Sequence, residues 1–229
     1  FNDIPYVEEM AGRLKDFFKQ RKINAQVIAV GKLGDPDKAE EVLKRGWADF
    51  FMLGRPLLAD PYWPQKVREN RVQEIIHCIG DQEGCIQSFI LGGHPCCTVN
   101  PYTGFEDTKQ LIKAEKVKKV AIIGAGPGGC EAAKTAFARG HQVTLFEKTN
   151  QIGGQLVAGG KMKIKHDVAK YLRNLQYQMD ILSKNGLEIK YNTVVKTEDL
   201  KDKYDVIICA NGLTPVVPEI EGKDLIRSL

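Results

Sequence analysis

Lys119-Val120-Ala121-Ile122-Ile123-Gly124-Ala125-Gly126-Pro127-Gly128-Gly129 decides the fold. An apolar strand over residues 118–123 runs straight into a GxGxxG loop. A helix is predicted over 127–139, and a second strand over 142–147 ends on an acid, Glu147. A lone GxGxxG is weak evidence, but strand, glycine loop, helix and acid-tipped strand in this order form a dinucleotide-binding βαβ unit. Each residue has a distinct task. Gly124 permits the tight turn, and Ala125 carries the loop onward. Gly126 lets the backbone approach a pyrophosphate, and Gly129 lets the helix pack against the strand. The helix N-terminus offers free N–H groups and the positive end of its dipole to the phosphates. Glu147 can accept hydrogen bonds from a ribose diol and would repel a 2′-phosphate, which disfavours NADP in this pocket.

The unit extends to residue 156. After Glu147 the chain reads Lys148-Thr149-Asn150-Gln151-Ile152-Gly153-Gly154-Gln155-Leu156, and a late strand over 205–209 leads into Ala210-Asn211-Gly212-Leu213-Thr214-Pro215. This resembles the two-dinucleotide-domain flavoprotein reductases, in which a GGQ follows the ribose-binding acid and an A-(T/S)-G-x-x-P turn closes a late strand. Asn211 departs from the usual Thr or Ser. The resemblance implies that the ligand is FAD, or an ADP moiety in relatives that lost the flavin. It also implies that Gly154, Gln155, Lys165 and Val195 make further contacts to the adenine nucleotide.

Four of the six cysteines, Cys78, Cys85, Cys96 and Cys97, crowd into a Gly- and Pro-rich stretch with little periodicity, residues 76–108. Cys130 and Cys209 lie in apolar surroundings and read as small core residues. A disulfide framework would be unusual beside a nucleotide motif. Closely spaced thiols in a glycine-rich loop suit an inorganic centre, and spacing alone leaves an iron–sulfur cluster and zinc equally open. The stretch Cys78-Ile79-Gly80-Asp81-Gln82-Glu83-Gly84-Cys85, followed by Cys97-Thr98-Val99-Asn100-Pro101, adds a second resemblance. It is similar to the linker of the family containing 2,4-dienoyl-CoA reductase, enoate reductases, bile-acid-converting flavin reductases and trimethylamine dehydrogenase. There a C-I-G-C-x-x-x-C-x11-C-x-x-N-P pattern holds a 4Fe–4S cluster. Cys78, Cys85 and Cys97 match in register, and Asp81 replaces the second cysteine of the pattern. The resemblance thus implies Cys78, Asp81, Cys85 and Cys97 as the ligand set, with Cys96 as the rival for the fourth place.

The N-terminal segment alternates elements: an amphipathic helix over 7–22, a strand over 25–30, a helix over 36–45 and a strand over 48–53. This βα grammar belongs to a parallel sheet. The stretches Val27-Ile28-Ala29-Val30-Gly31-Lys32, Gly46-Trp47-Ala48-Asp49 and Leu53-Gly54-Arg55-Pro56-Leu57-Leu58-Ala59-Asp60-Pro61 resemble the end of that family's old-yellow-enzyme-like (β/α)8 barrel. Such barrels bind a flavin phosphate at the loops after their last strands. The resemblance implies an FMN phosphate site in which Gly31 and Gly54 offer N–H groups and Lys32 and Arg55 offer charge.

The expected fold class is α/β in three parts. Residues 1–75 form the C-terminal part of a TIM barrel, 76–110 an iron–sulfur segment, and 111–229 an incomplete Rossmann-like FAD/NAD(P) domain. Only two of eight βα units are expected, so the resemblance covers about a third of the family's length. The 229 residues carry 33 basic and 29 acidic side chains, a net charge of +4. So small a surplus gives no nucleic-acid patch, and the basic run over 113–119 reads as a solvated linker. No apolar run of about 18 residues predicts a membrane span, and no signal peptide is visible, so a cytoplasmic protein is expected. His77, His94, His141 and His166 join no catalytic constellation, and no catalytic residue is named. The resemblance implies an NAD(P)H-dependent reductase of activated C=C bonds, in which FAD, the cluster and FMN relay electrons to an enoyl or enone substrate. Two alternatives are an amine dehydrogenase with ADP in place of FAD, and a nucleotide-binding or electron-transfer module. The expected partners are a small-molecule substrate, the nicotinamide cofactor and further copies of the full-length protein.

Overall fold

The structure, a computed structural model, describes residues 6–213 and 219–221. The chain divides into two compact units, Phe1–Lys109 and Gln110–Leu229. Both are α/β with parallel sheets.

The first unit opens with helix α1, Tyr6–Gln20, and strand β1, Ile28–Val30. Helix α2, Pro36–Lys44, follows. Its N-cap Asp35 accepts a hydrogen bond from the Asp37 N–H, and Pro36 sits where a missing N–H costs nothing. Strand β2, Phe50–Met52, pairs with β1 in parallel, Val30 opposite Met52. One face of this pair buries Ala29 with Ala11, Ala39 and Val42 of the helices. The other face leaves Ile28, Val30, Phe50 and Met52 about half exposed. Two short helices come next, α3 over Arg55–Ala59 and α4 over Trp63–Arg68. They occupy residues whose sequence signals only a strand end and a turn. Trp63 fixes α4: it is buried, packs edge-on to Phe51, and donates from Nε1 to the Gly34 carbonyl at 3.0 Å. The cysteine segment holds more structure than its composition suggests, with a π-helical turn over Glu83–Gln87 running into α5, Ser88–Ile90.

The second unit is a four-stranded parallel sheet in the order β5-β4-β3-β6. Strand β3, Lys119–Ile123, is central and is followed by α6, Pro127–Ala138, and β4, Gln142–Phe146. The chain then forms α7, Gln155–Gly159, α8, His166–Lys184, and β5, Glu188–Lys190. It closes with α9, Thr197–Leu200, and β6, Val206–Cys209, on the far side of β3. Alternate residues of β3 face opposite ways. Val120 and Ile122 pack with Cys130, Ala133, Leu175 and Met179 of α6 and α8, while Ala121 packs with Phe146 and Leu200. A sheet covered on both faces explains the unbroken apolar run of β3.

One expectation is corrected. Cys130 is fully buried, with its thiol pushed up to about 12 by burial. Cys209 is exposed, because β6 is an edge strand and the residue stands at its end.

Candidate functional site

In the second unit Gly124, Ala125, Gly126, Gly129, Glu147 and Gly154 come together at the C-terminal end of β3. Here the chain passes to β4 on one side and later to β6 on the other, a topological switch point where α/β sheets bind ligands. Gly124 takes φ 99°, and a Cβ there would meet the Ala210 carbonyl. At Gly129 a Cβ would overlap the Gly124 carbonyl, so this glycine sets how close α6 comes to β3. Gly126 is different: its backbone is ordinary (φ −70°, ψ 179°) and a Cβ would point into open space. A backbone that is to cradle a pyrophosphate needs such an open side.

Glu147 is 6% exposed. Its Oε2 accepts the Ala125 N–H at 2.8 Å, and its Oε1 accepts the N–H and hydroxyl of Thr149 at 2.8 and 2.9 Å. Burial works against its charge, but the three donors outweigh burial and hold the carboxyl below the ordinary glutamate value. Of roughly four acceptor positions on a carboxylate, one remains for a ribose hydroxyl. The Gly153 N–H donates to the Ala125 carbonyl at 2.8 Å, and a Cβ on Gly154 would lie 3.0 Å from Gly126 Cα. The glycine loop, the acid and the GG turn therefore form one body. The Ala210 N–H bonds the Ile123 carbonyl at 2.8 Å and brings the start of the late turn beside Gly124; Thr214 and Pro215 of that turn lie outside the described residues. Val195 packs against the cluster around Ala121 and Phe146. Gln155 is the exposed first residue of α7. Lys165 is exposed just before α8, with its N–H on the Met162 carbonyl.

In the first unit, Gly31 and Gly54 follow the adjacent ends of β1 and β2. Gly31 (φ 126°) and Lys32 (φ 48°) both take positive φ. A lysine there costs on the order of 1–3 kcal/mol, and such outliers gather at ligand sites. Gly54 caps α3, and Arg55 is its first residue.

Arg55 also lines a small pocket with Leu58, Cys78, Asp81, Cys85 and Cys97. Three of the four clustered cysteines and the aspartate thus share one hollow. Cys96 does not line it: its N–H bonds the Gly84 carbonyl at 2.7 Å, and its sulfur packs at Gly84. Burial pushes the Cys78 and Cys97 thiols up, against opposing N–H contacts from Gly80 at Cys78 and from Val99 and Asn100 at Cys97. Asp81 Oδ2 accepts from the Thr98 hydroxyl at 2.6 Å. Among the described residues no three Cys, His, Asp or Glu side chains stand close enough to share a single metal ion. Three thiols and a carboxylate lining one hollow are a donor set that fits an iron–sulfur cluster.

Two anchors that sequence reading missed hold this segment. Asp60, 1% exposed, accepts the Ile76 N–H at 2.9 Å and pairs with Lys66 at 2.6 Å, whose Nζ also donates to the Glu74 carbonyl. Asn100 Nδ2 and Thr103 Oγ1 both donate to the Leu58 carbonyl, at 2.9 and 2.6 Å. The only signal for either was membership of the quoted motifs: Asp60 precedes Pro61, and Asn100 precedes Pro101.

Residues 7–74 match the NADH:flavin oxidoreductase / NADH oxidase family, and residues 118–229 match the pyridine nucleotide-disulphide oxidoreductase family. The chain is 36% identical to a cinnamate reductase of Clostridium sporogenes, covering 91% of this chain and 31% of that protein. It is 39% identical to an NADH oxidase of Thermoanaerobacter brockii, covering 90% and 32%. A solved 2-naphthoyl-CoA reductase in complex with 2-naphthoyl-CoA superposes with a TM-score of 0.84 at 34% identity, covering 97% of this chain and 33% of that one. The chain spans about a third of the length of these relatives. With a flavin-oxidoreductase segment leading into a nucleotide-binding one, it belongs to the NADH:flavin oxidoreductase / NADH oxidase family, in the group that also contains enoate reductases and amine dehydrogenases.

Proposed function

We propose that this chain is the cofactor-bearing part of an NAD(P)H-dependent flavin and iron–sulfur oxidoreductase that reduces activated C=C bonds of the enoyl or enone type. The observation that carries the reading is the joint formed by Gly124–Gly126, Glu147 and the Gly153-Gly154 turn at the end of the central strand. The reductase names of its relatives direct the reading to C=C substrates.

On this reading the organisation is threefold. Residues 1–75 end an FMN-binding barrel, 76–110 carry the cluster, and 111–229 begin the FAD domain. The open apolar face of β1 and β2 supports the first assignment, since parallel strands are ordinarily buried on both faces. When bound, FAD and FMN supply hydride transfer and the cluster single-electron transfer. The chain's own residues bind and orient. Gly126 leaves room for the pyrophosphate, and Glu147 takes a ribose hydroxyl with its remaining acceptor position. Gly154 and Gln155 border the phosphates, while Val195 and Lys165 flank the adenosine. Gly31, Lys32, Gly54 and Arg55 hold the FMN phosphate, with the Arg55 guanidinium supplying the fixed charge. Cys78, Cys85, Cys97 and Asp81 hold the cluster.

The test uses the protein containing this chain, purified anaerobically. NADH should bleach its flavin absorbance, and an α,β-unsaturated carboxylate or thioester should restore it. Bleaching by a secondary or tertiary amine without NADH would overturn the C=C assignment in favour of amine oxidation.

A further inference from the structure

The cluster pocket is chemically lopsided. Its three cysteines are half-buried, whereas Asp81 and the Thr98 that bonds it are exposed. Thiolate is a soft donor matched to iron, and a carboxylate is a harder one matched to exchangeable divalent ions. The Thr98 hydroxyl donates to Asp81 Oδ2 and fixes the carboxylate, whose remaining lone pairs can reach a metal. Cys96 is held by its N–H to the Gly84 carbonyl with its sulfur at Gly84, and it does not line the pocket.

We propose that Asp81 and Thr98 make the fourth corner of the cluster site a metal-exchange position, where an oxygen-bound, solvent-facing iron leaves on one-electron oxidation and another divalent cation can replace it. The inference rests on the cluster reading given above. Asp81 is the ligand and Thr98 a positioning residue. The balance is simple. A 4Fe–4S cluster in its 2+ state gives one electron to ferricyanide, which becomes ferrocyanide. The resulting 3+ cluster releases Fe2+ and remains as 3Fe–4S in its 1+ state. One electron from dithionite then takes it to the neutral state, and Co2+ enters the vacated corner to give a mixed-metal cluster of charge 2+. Asp81 stays a carboxylate throughout.

The test is anaerobic reconstitution of the protein with iron and sulfide, followed by ferricyanide titration read by electron paramagnetic resonance and by released iron. Wild type should lose one iron per cluster, show the 3Fe–4S signal, and take up cobalt after reduction. Asp81→Cys should keep its iron and exclude cobalt. Thr98→Val should lose iron about fivefold faster, equivalent to a hydrogen bond of ~1 kcal/mol. Cys96→Ala should behave as wild type. The inference is overturned if wild type retains its iron as Asp81→Cys does. It is also overturned if Cys96→Ala loosens the cluster while Asp81→Ala does not. Should no chromophore form in wild type or in Asp81→Cys, the cluster reading falls and takes the inference with it.

Discussion

Two glycines of one loop separate folding from binding. A Cβ on Gly129 has nowhere to go but into the Gly124 carbonyl, whereas one on Gly126 enters open space. We expect Gly129→Ala to lower the melting temperature, since overpacking costs about 1–3 kcal/mol. Gly126→Val should leave the melting temperature of the ligand-free protein nearly unchanged and abolish FAD or ADP binding in a titration. Unchanged affinity would sink the pyrophosphate assignment. Glu147 adds a pH dependence. Its carboxyl lies below the ordinary value in the folded chain, so the stability it contributes is present above the unfolded carboxylate range and is lost as pH falls through the lower, folded value. Glu147→Ala, which strands the buried Ala125 N–H, should flatten that acid limb in urea melts across pH and cost about 1–3 kcal/mol near neutrality. Glycines and acid were legible because loop geometry demands those residue types. Thr149, which supplies two of the three donors to Glu147, was not, since a threonine two residues past a strand is ordinary in any turn.

At the scale of elements, the strands and long helices follow the apolar period and were readable to within a few residues. The short helices α3 and α4 were not. Five or six residues give too few turns for a 3.6-residue pattern, and tertiary anchors such as Trp63 decide them. The latch from Asp60 to Lys66 and Ile76 holds the chain just ahead of Cys78. Breaking a buried pair by removing one partner costs about 3–5 kcal/mol, so Asp60→Ala should unfold the first unit at lower denaturant and prevent cluster assembly. A folded Asp60→Ala protein that assembles its cluster normally would show the latch to be dispensable. Arg55, at the start of α3, lines the cysteine pocket and favours the charged form of Cys78. Arg55→Ala should weaken FMN retention by roughly 1.5–3 kcal/mol, the worth of a charge-assisted hydrogen bond. FMN content equal to wild type after gel filtration would leave Arg55 as a turn residue only.

At the scale of the whole molecule, the chain spans about a third of its relatives. Among the described residues no helix is long and apolar enough to cross a membrane. None of the histidines joined a catalytic group in the sequence; His94 packs tilted against Phe105, His141 accepts the Lys118 N–H, and His166 sits beside Asp167. On the proposed function the glycine–acid joint at the end of β3 holds an adenine nucleotide, so the most direct measurement is on that ligand. The purified protein is denatured, and the released nucleotides are identified and counted by liquid chromatography, for wild type and Gly126→Val in parallel. The account expects FAD, or ADP in its place, in amounts near one per chain from wild type and none from Gly126→Val; no adenine nucleotide from wild type, or the same amount from both, would contradict it.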